Sequence, residues 1–241
     1  MRKNLISKIV RVSVFFIWSL NASAEPFTAG LTALSREHAT TAYRAWLSVA
    51  EKGDPEGQNN VGFLYERGLG VSQDYEKAKA WYTLASDQGL PSAKHNLAML
   101  TYKGFINNKD TRKSVEWLRQ ADQMGFAPST YMLGVLYMRG EGIFKDRDKA
   151  FELFKKSAVL GDVRGQYMVA YIYQSGMLDP DEESDHQRGY LWSAIALMNG
   201  FEKARSVMIK ASLRMSDEKE ASLIKLAESC IASDYKNCER S

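Results

Sequence analysis

A glycine that returns every 36 residues constrains this chain more than any other feature. Gly53, Gly89, Gly125 and Gly161 stand at that interval, each closing a similar tetrapeptide: AEKG, SDQG, DQMG and AVLG. A fixed period of this size marks stacked supersecondary units, none of which buries its apolar face alone. The spacing therefore predicts a repeat protein with an extended surface, not an enclosed enzyme core.

The units register position by position. Gly62, Ala98, Gly134 and Ala170 keep one place small, which lets two helices approach closely. Apolar residues precede them at Val61, Leu97, Leu133 and Val169, and Leu64, Leu100, Leu136 and Ile172 form the next column. Tyr65, Tyr137 and Tyr173 form an aromatic column broken by Thr101. The spacing within a unit is helical, so these are core positions. Each first helix is predicted to stop at glycine, at Gly68, Gly104, Gly140 and Gly176, because glycine takes a positive φ without a Cβ penalty. Gly70 and Gly142 follow two residues later, but the second unit has Ile106 there, which predicts a differently built turn. Asp74, Asp110 and Asp146 then cap or favour the start of a second helix. Small residues (Ala78, Ser114, Ala150) and bulky pairs (Trp81–Tyr82, Trp117–Leu118, Leu153–Phe154) occupy matching places on it. The reading is all-α, with units at 53–88, 89–124, 125–160 and 161–199. The fourth is longer, its closing glycine being Gly200, and the extra residues fall in LDPDEESDHQR. That stretch, 179–188, reads as a loop: an insertion tolerated at an edge, or a partner contact.

The ends read differently. Arg2, Lys3, Lys8 and Arg11 precede the apolar run VSVFFIWSL and the small residues Ala22-Ser23-Ala24, so 1–24 reads as an export signal cut after Ala24. The run is too short to span a bilayer, and no other stretch is apolar enough. The whole chain has 32 basic and 29 acidic residues, net +3. Without the leader's four basic residues it is near −1, so the basic balance implies no nucleic-acid role. Residues 25–52 read as an N-terminal capping helix, whose Ala42, Trp46 and Ala50 match the second-helix places of Ala78, Tyr82 and Ser86. Residues 201–241 read as a divergent hairpin cap, with helices over 202–214 and 217–229. Cys230 and Cys238 are the only cysteines. In an exported chain they are expected to form a disulfide; free thiols or half a metal site are the weaker readings. His38, His95 and His186 show no metal-ligand spacing with them.

The segments NNVGFLYERGLGVSQDYEKAKAWYTLASDQG and YMLGVLYMRGEGIFKDRDKAFELFKKSAVLG resemble the Sel-1-like repeat, a relative of the tetratricopeptide repeat. The first matches at Val61, Gly62, Tyr65, Gly68, Gly70, Val71, Asp74, Ala78, Trp81 and Tyr82. The third unit matches at Leu133, Gly134, Tyr137, Gly140, Gly142, Ile143, Asp146 and Ala150. The third departs at Leu153, where an aromatic is usual, and the second replaces the glycine-rich turn with GFINNKD. The resemblance implies a right-handed α/α superhelical solenoid whose first helices line a concave groove. It also implies a non-catalytic adaptor or scaffold role. Exported bacterial members contact envelope regulators, host proteins or secretion systems, which places this chain in the periplasm or outside the cell. Some disulfide-rich relatives bind or weakly hydrolyse β-lactams, so a binder or weak hydrolase of a cell-wall fragment or β-lactam is the alternative. A single cysteine pair fits that subgroup poorly.

Four registers of the first helices are then expected to face a protein or peptide ligand: Asn59, His95, Tyr131 and Tyr167; Asn60, Asn96, Met132 and Met168; Phe63, Met99, Val135 and Tyr171; and Glu66, Tyr102, Met138 and Gln174. The later members are aromatic and methionine-rich, the composition of adaptable protein-binding surfaces, although helix packing would use the same residues. Asn60 and Asn96 suit hydrogen bonding to an extended peptide backbone. His95 reads as a groove polar or structural residue rather than a base. The basic residues of the second helices, Lys77, Lys79, Lys109, Arg112 and Lys113, alternate with acids and read as a solvated face. No nucleophile elbow, H-E-x-x-H or phosphate loop is present, and no cofactor is expected.

Overall fold

The computed structural model describes residues 24–35, 38–106, 109–177, 185–236 and 238. Residues 1–23 of the predicted leader and 179–184 of the predicted loop lie outside these. The described residues are helical, without strands: α1 (Ala24–Ser35), α2 (Ala39–Ala50), α3 (Pro55–Arg67), α4 (Tyr75–Asp87), α5 (Pro91–Lys103), α6 (Thr111–Gln123), α7 (Ala127–Arg139), α8 (Arg147–Val159), α9 (Val163–Ser175), α10 (His186–Met198), a 3₁₀ turn at Glu202–Ala204, α11 (Arg205–Ser212) and α12 (Asp217–Ala232). This is the tandem helix-pair architecture of an α-solenoid. Where the sequence reads one capping helix over 25–52, there are two, α1 and α2.

The sequence repeat becomes a repeat of geometry. Each helix from α3 to α10 has 13 residues. Asp74, Asp110 and Asp146 cap α4, α6 and α8 by accepting the backbone N–H of Lys77, Lys113 and Lys149 at 2.9, 3.0 and 2.8 Å. This satisfies donors that a helix start leaves without partners. First helices end as expected: Gly68, Gly104, Gly140 and Gly176 have φ of 67°, 72°, 72° and 59°. After the first three of these, the next residue's N–H reaches back to Leu64, Leu100 and Leu136 at 3.0, 3.0 and 3.1 Å, closing the 6→1 bond of the Schellman motif.

A further bond locks the hairpin of each of the four repeats. The N–H of Asp74, Asp110, Asp146 and Asp185 donates to the carbonyl of Tyr65, Thr101, Tyr137 and Tyr173, at 3.0, 3.4, 3.0 and 2.9 Å. The second unit, despite GFINNKD, begins and ends its turn with the same bonds as its neighbours. The visible change is that Ile106 is buried where the first and third units have glycine. At those glycines space is closed: a Cβ on Gly142 would lie 2.6 Å from the Thr111 side chain, and one on Gly70 would lie 2.4 Å from the Ala39 backbone.

The chain divides into two compact units, residues 1–93 and 94–241. In the first, Ala42, Trp46, Ala50, Val61 and Leu64 form the core. In the second, Ala98, Val115, Leu118, Leu133, Leu136 and Leu153 form one cluster. A larger one joins Phe154, Val169, Ile172, Tyr190, Trp192 and Ile195 to Val207 and Leu223 of the C-terminal helices. Cys230 and Cys238 are joined by a disulfide at the end of this cluster. Tyr235, between them in sequence, accepts a hydrogen bond from Asn199 at 3.0 Å, so the terminal turn is tied back to the end of α10.

Candidate partner-binding face

The first helices carry the candidate residues, and their four registers behave differently. In the first unit Asn59 is buried, while Asn60 and Phe63 are half-buried. The Arg67 guanidinium lies 5.6 Å from the Phe63 ring centre. Glu66 is buried and accepts the Tyr82 hydroxyl at 2.8 Å. Burial, and secondarily the Glu66 charge, push the Tyr82 hydroxyl well above the usual tyrosine range.

In the second unit the register of His95, Tyr131 and Tyr167 forms a ladder. The His95 ring lies 5.4 Å from that of Phe126, the residue that precedes α7, and its Nδ1 is 2.9 Å from the Ser129 hydroxyl. Tyr131 lies under the Arg164 guanidinium at 4.5 Å. Arg164 is in turn held by Asp162, the N-cap of α9. Tyr167 packs on Phe201, just past α10, at 5.4 Å. Each member thus packs against the segment that opens the following repeat, and this register is chiefly joinery between repeats. Burial, with the nearby Arg164 charge, lowers the His95 pKa to about 4. The imidazole is therefore neutral at physiological pH and serves as a packed hydrogen-bonding group.

Other candidates sit partly in the core. Met132 and Tyr102 pack against one cluster, and Val135 and Met168 against the other. Asn96 and Met99 are half-buried on α5. Tyr102 donates its hydroxyl to Glu141 at 2.8 Å. Tyr171 stands apart. It is 40% exposed on the rigid α9, with its ring centre 6.3 Å from that of Tyr167.

Beside Tyr171 lies a cleft of about 540 Å³ between α9, the start of α10 and α11. Tyr167, Tyr171 and Gln174 line it from α9, and Lys210, Leu213 and Arg214 from α11 and the turn after it. Leu213 is 78% exposed. Sequence reasoning reached Tyr167, Tyr171 and Gln174 but missed the opposite wall. The α11 segment lies outside the 36-residue register, so no repeat position signalled it. Arg164 and Phe201 were missed for a related reason: they act at the seams between repeats. Among the described residues no group of three or more His, Cys, Asp or Glu is placed to hold a metal ion, and no helix is long and apolar enough to cross a membrane.

Comparison with known proteins agrees with the repeat fold. The Sel1 repeat model matches four consecutive segments, residues 55–90, 91–125, 127–162 and 163–201, more than half of the chain. Among solved structures, a Sel1 repeat protein from Oxalobacter formigenes aligns with TM-score 0.70 and 22% identity, over 87% of this chain and 89% of that one. A protective antigen of uropathogenic Escherichia coli strains with an SLR fold aligns with TM-score 0.70 and 25% identity, over 88% of this chain and 46% of that one. An immunity protein from Pseudomonas aeruginosa aligns with TM-score 0.58 and 16% identity, over 90% of this chain and 84% of that one. A putative sel1-like repeat-containing protein of Acanthamoeba polyphaga mimivirus is 49% identical over 39 residues, 16% of this chain and 7% of that protein.

Proposed function

Because the chain belongs to the Sel1-repeat family, whose model covers 55–201 in four copies, we propose that it is a non-catalytic scaffold. It holds a protein or peptide partner against the first-helix face of its second unit, in the periplasm or outside the cell. The observation that carries this reading is Tyr171: a large aromatic side chain 40% exposed on a rigid helix, beside a cleft. Aromatic residues fixed at the wall of a cleft are the usual anchors of a protein interface. The ladder residues His95, Tyr131 and Tyr167 hold the repeats in line behind it, and the partner modulated there is an envelope, signalling or secretion component.

The test is a crosslinked pull-down from the source cell's envelope with the native chain and with Tyr171→Ala, each checked for an unchanged helical spectrum. A partner captured by the native chain and lost with the variant supports the reading. Equal capture by both moves the contact elsewhere, to the 179–188 loop among other places. No capture by either removes the scaffold role. Cell fractionation with N-terminal sequencing tests location: the expected mature chain begins at Glu25.

A further inference from the structure

We propose that the cleft between α9 and α11 binds an acidic peptide segment carrying an apolar side chain, and that this segment is how the partner is recognised. The inference rests on the scaffold reading and names the partner's chemistry. Three observations carry it.

The first is charge. Among the described residues, the cleft wall includes Lys210 and Arg214 and contains no Asp or Glu. Neither cation has an ion pair or hydrogen bond with another of the described residues, whereas the neighbouring Arg188 and Arg205 are engaged by Asp185 and Glu202. In a chain whose predicted mature charge is near −1, two exposed cations without partners among the described residues at one cleft give local complementarity to carboxylates, which favours specificity and fast association. The second is the apolar surface between them. Tyr171 faces the cleft from one side and Leu213, 78% exposed, from the other. A strongly exposed leucine next to an exposed tyrosine is the pair an incoming apolar side chain would cover. The third is hydrogen bonding. Gln174 Oε1 is 3.2 Å from His186 Nδ1, which fixes the amide and leaves its Nε2 to donate to a peptide carbonyl. Two cations on one short helical segment are too few for a nucleic-acid track, which needs a longer basic groove with successive stacking rings.

The experiment pans a random 12-residue peptide display library against the purified protein and against Lys210→Glu/Arg214→Glu, and measures affinities of enriched peptides by fluorescence anisotropy at low and high salt. The expected result is enrichment of peptides with at least two Asp or Glu around an aromatic or aliphatic residue. These should weaken with added salt and lose affinity by about tenfold or more in the charge-reversal variant. Tyr171→Ala should weaken the same peptides without changing their salt dependence. Lys210, Arg214 and Tyr171 are all exposed, so both variants are expected to keep the native melting curve. Enriched peptides that are neutral or basic, or acidic peptides indifferent to all three substitutions, overturn the inference while leaving the scaffold reading standing. If no peptide is enriched, this inference fails; the envelope pull-down then decides the scaffold reading separately.

Discussion

The α3–α4 and α7–α8 hairpins have the same backbone and different fillings. Both leave a glycine on the first helix, Gly62 or Gly134, under an aromatic ring of the second helix. A Cβ there would lie 2.7 Å from Tyr82 or 2.7 Å from Phe154. The α5–α6 hairpin makes the opposite choice, with Ala98 opposite the smaller Leu118. The fourth pairs Ala170 with Ser193 at the equivalent position, both fully buried. Across the first three hairpins a larger first-helix residue thus goes with a smaller second-helix one, as close packing requires, whereas the fourth is small on both sides. Polarity is exchanged in the same coordinated way. Tyr82 places its hydroxyl on Glu66, while Phe154 has no hydroxyl and the position equivalent to Glu66 is Met138. A ring that carries a polar tip is kept where a partner meets it; where the partner is apolar, the tip is absent.

The largest expected effect breaks the third-repeat filling outright. Phe154→Ala removes a fully buried ring from the larger core cluster and should cost about 3–5 kcal/mol by denaturant unfolding. A cost below about 1 kcal/mol would mean the hairpin collapses around the gap.

Next is acid. His95 has no counterpart in the first unit, where Asn59 holds its register. Its folded pKa is about 4, below the usual value of about 6.5. Above about pH 6.5 both folded and unfolded states are neutral and stability is full. As pH falls from there towards 4, the unfolded state binds a proton that the folded state refuses, so stability is lost. The loss reaches about 3 kcal/mol at most. Residue-level hydrogen exchange should show it in 94–241, and His95→Asn should abolish the slope.

A smaller effect tests the size exchange. Gly134→Ala should cost about 1–3 kcal/mol from crowding against Phe154. Adding Phe154→Leu, which reproduces the Ala98 and Leu118 pair, should cost less than the two single changes summed. Strict additivity would show that the positions do not compensate.

Smallest is the polar tip. Tyr82→Phe removes one hydrogen bond and should cost about 1 kcal/mol at neutral pH. Because the folded hydroxyl ionises only well above its ordinary value, the native chain should also lose stability as pH rises past about 10, where the unfolded tyrosine gives up its proton. The variant should lose that alkaline slope at this site, and the α7–α8 hairpin, with Phe154 in that place, has no counterpart of it.

The architecture was legible because its signals are local and repeated. Gly68, Gly104, Gly140 and Gly176 end helices, and Asp74, Asp110 and Asp146 begin them, through bonds that span only a few residues. The candidate face was legible only in part. The periodicity correctly put Tyr131 and Tyr167 on first helices, yet their partners Arg164 and Phe201 follow in the next repeat, more than 30 residues later. A period shows which residues are equivalent, not which of them touch. Nor did it separate the packed His95 from the exposed Tyr171, since both stand on the same kind of helix face.

The chain's sequence alone determined the helix boundaries within the repeats, the repeat register and the aliphatic core columns, because capping, glycine stereochemistry and apolar periodicity are properties of short segments. It did not separate α1 from α2, and the tyrosine column of Tyr65, Tyr137 and Tyr173, which it reads as core, is only half-buried. Tertiary structure decided the rest. It tied Asp162 and Arg164 to Tyr131, set Gly134 beneath Phe154, and brought Lys210, Leu213 and Arg214 opposite Tyr171. Those relations depend on how helices far apart in sequence come together, and packing geometry, not composition, fixes that.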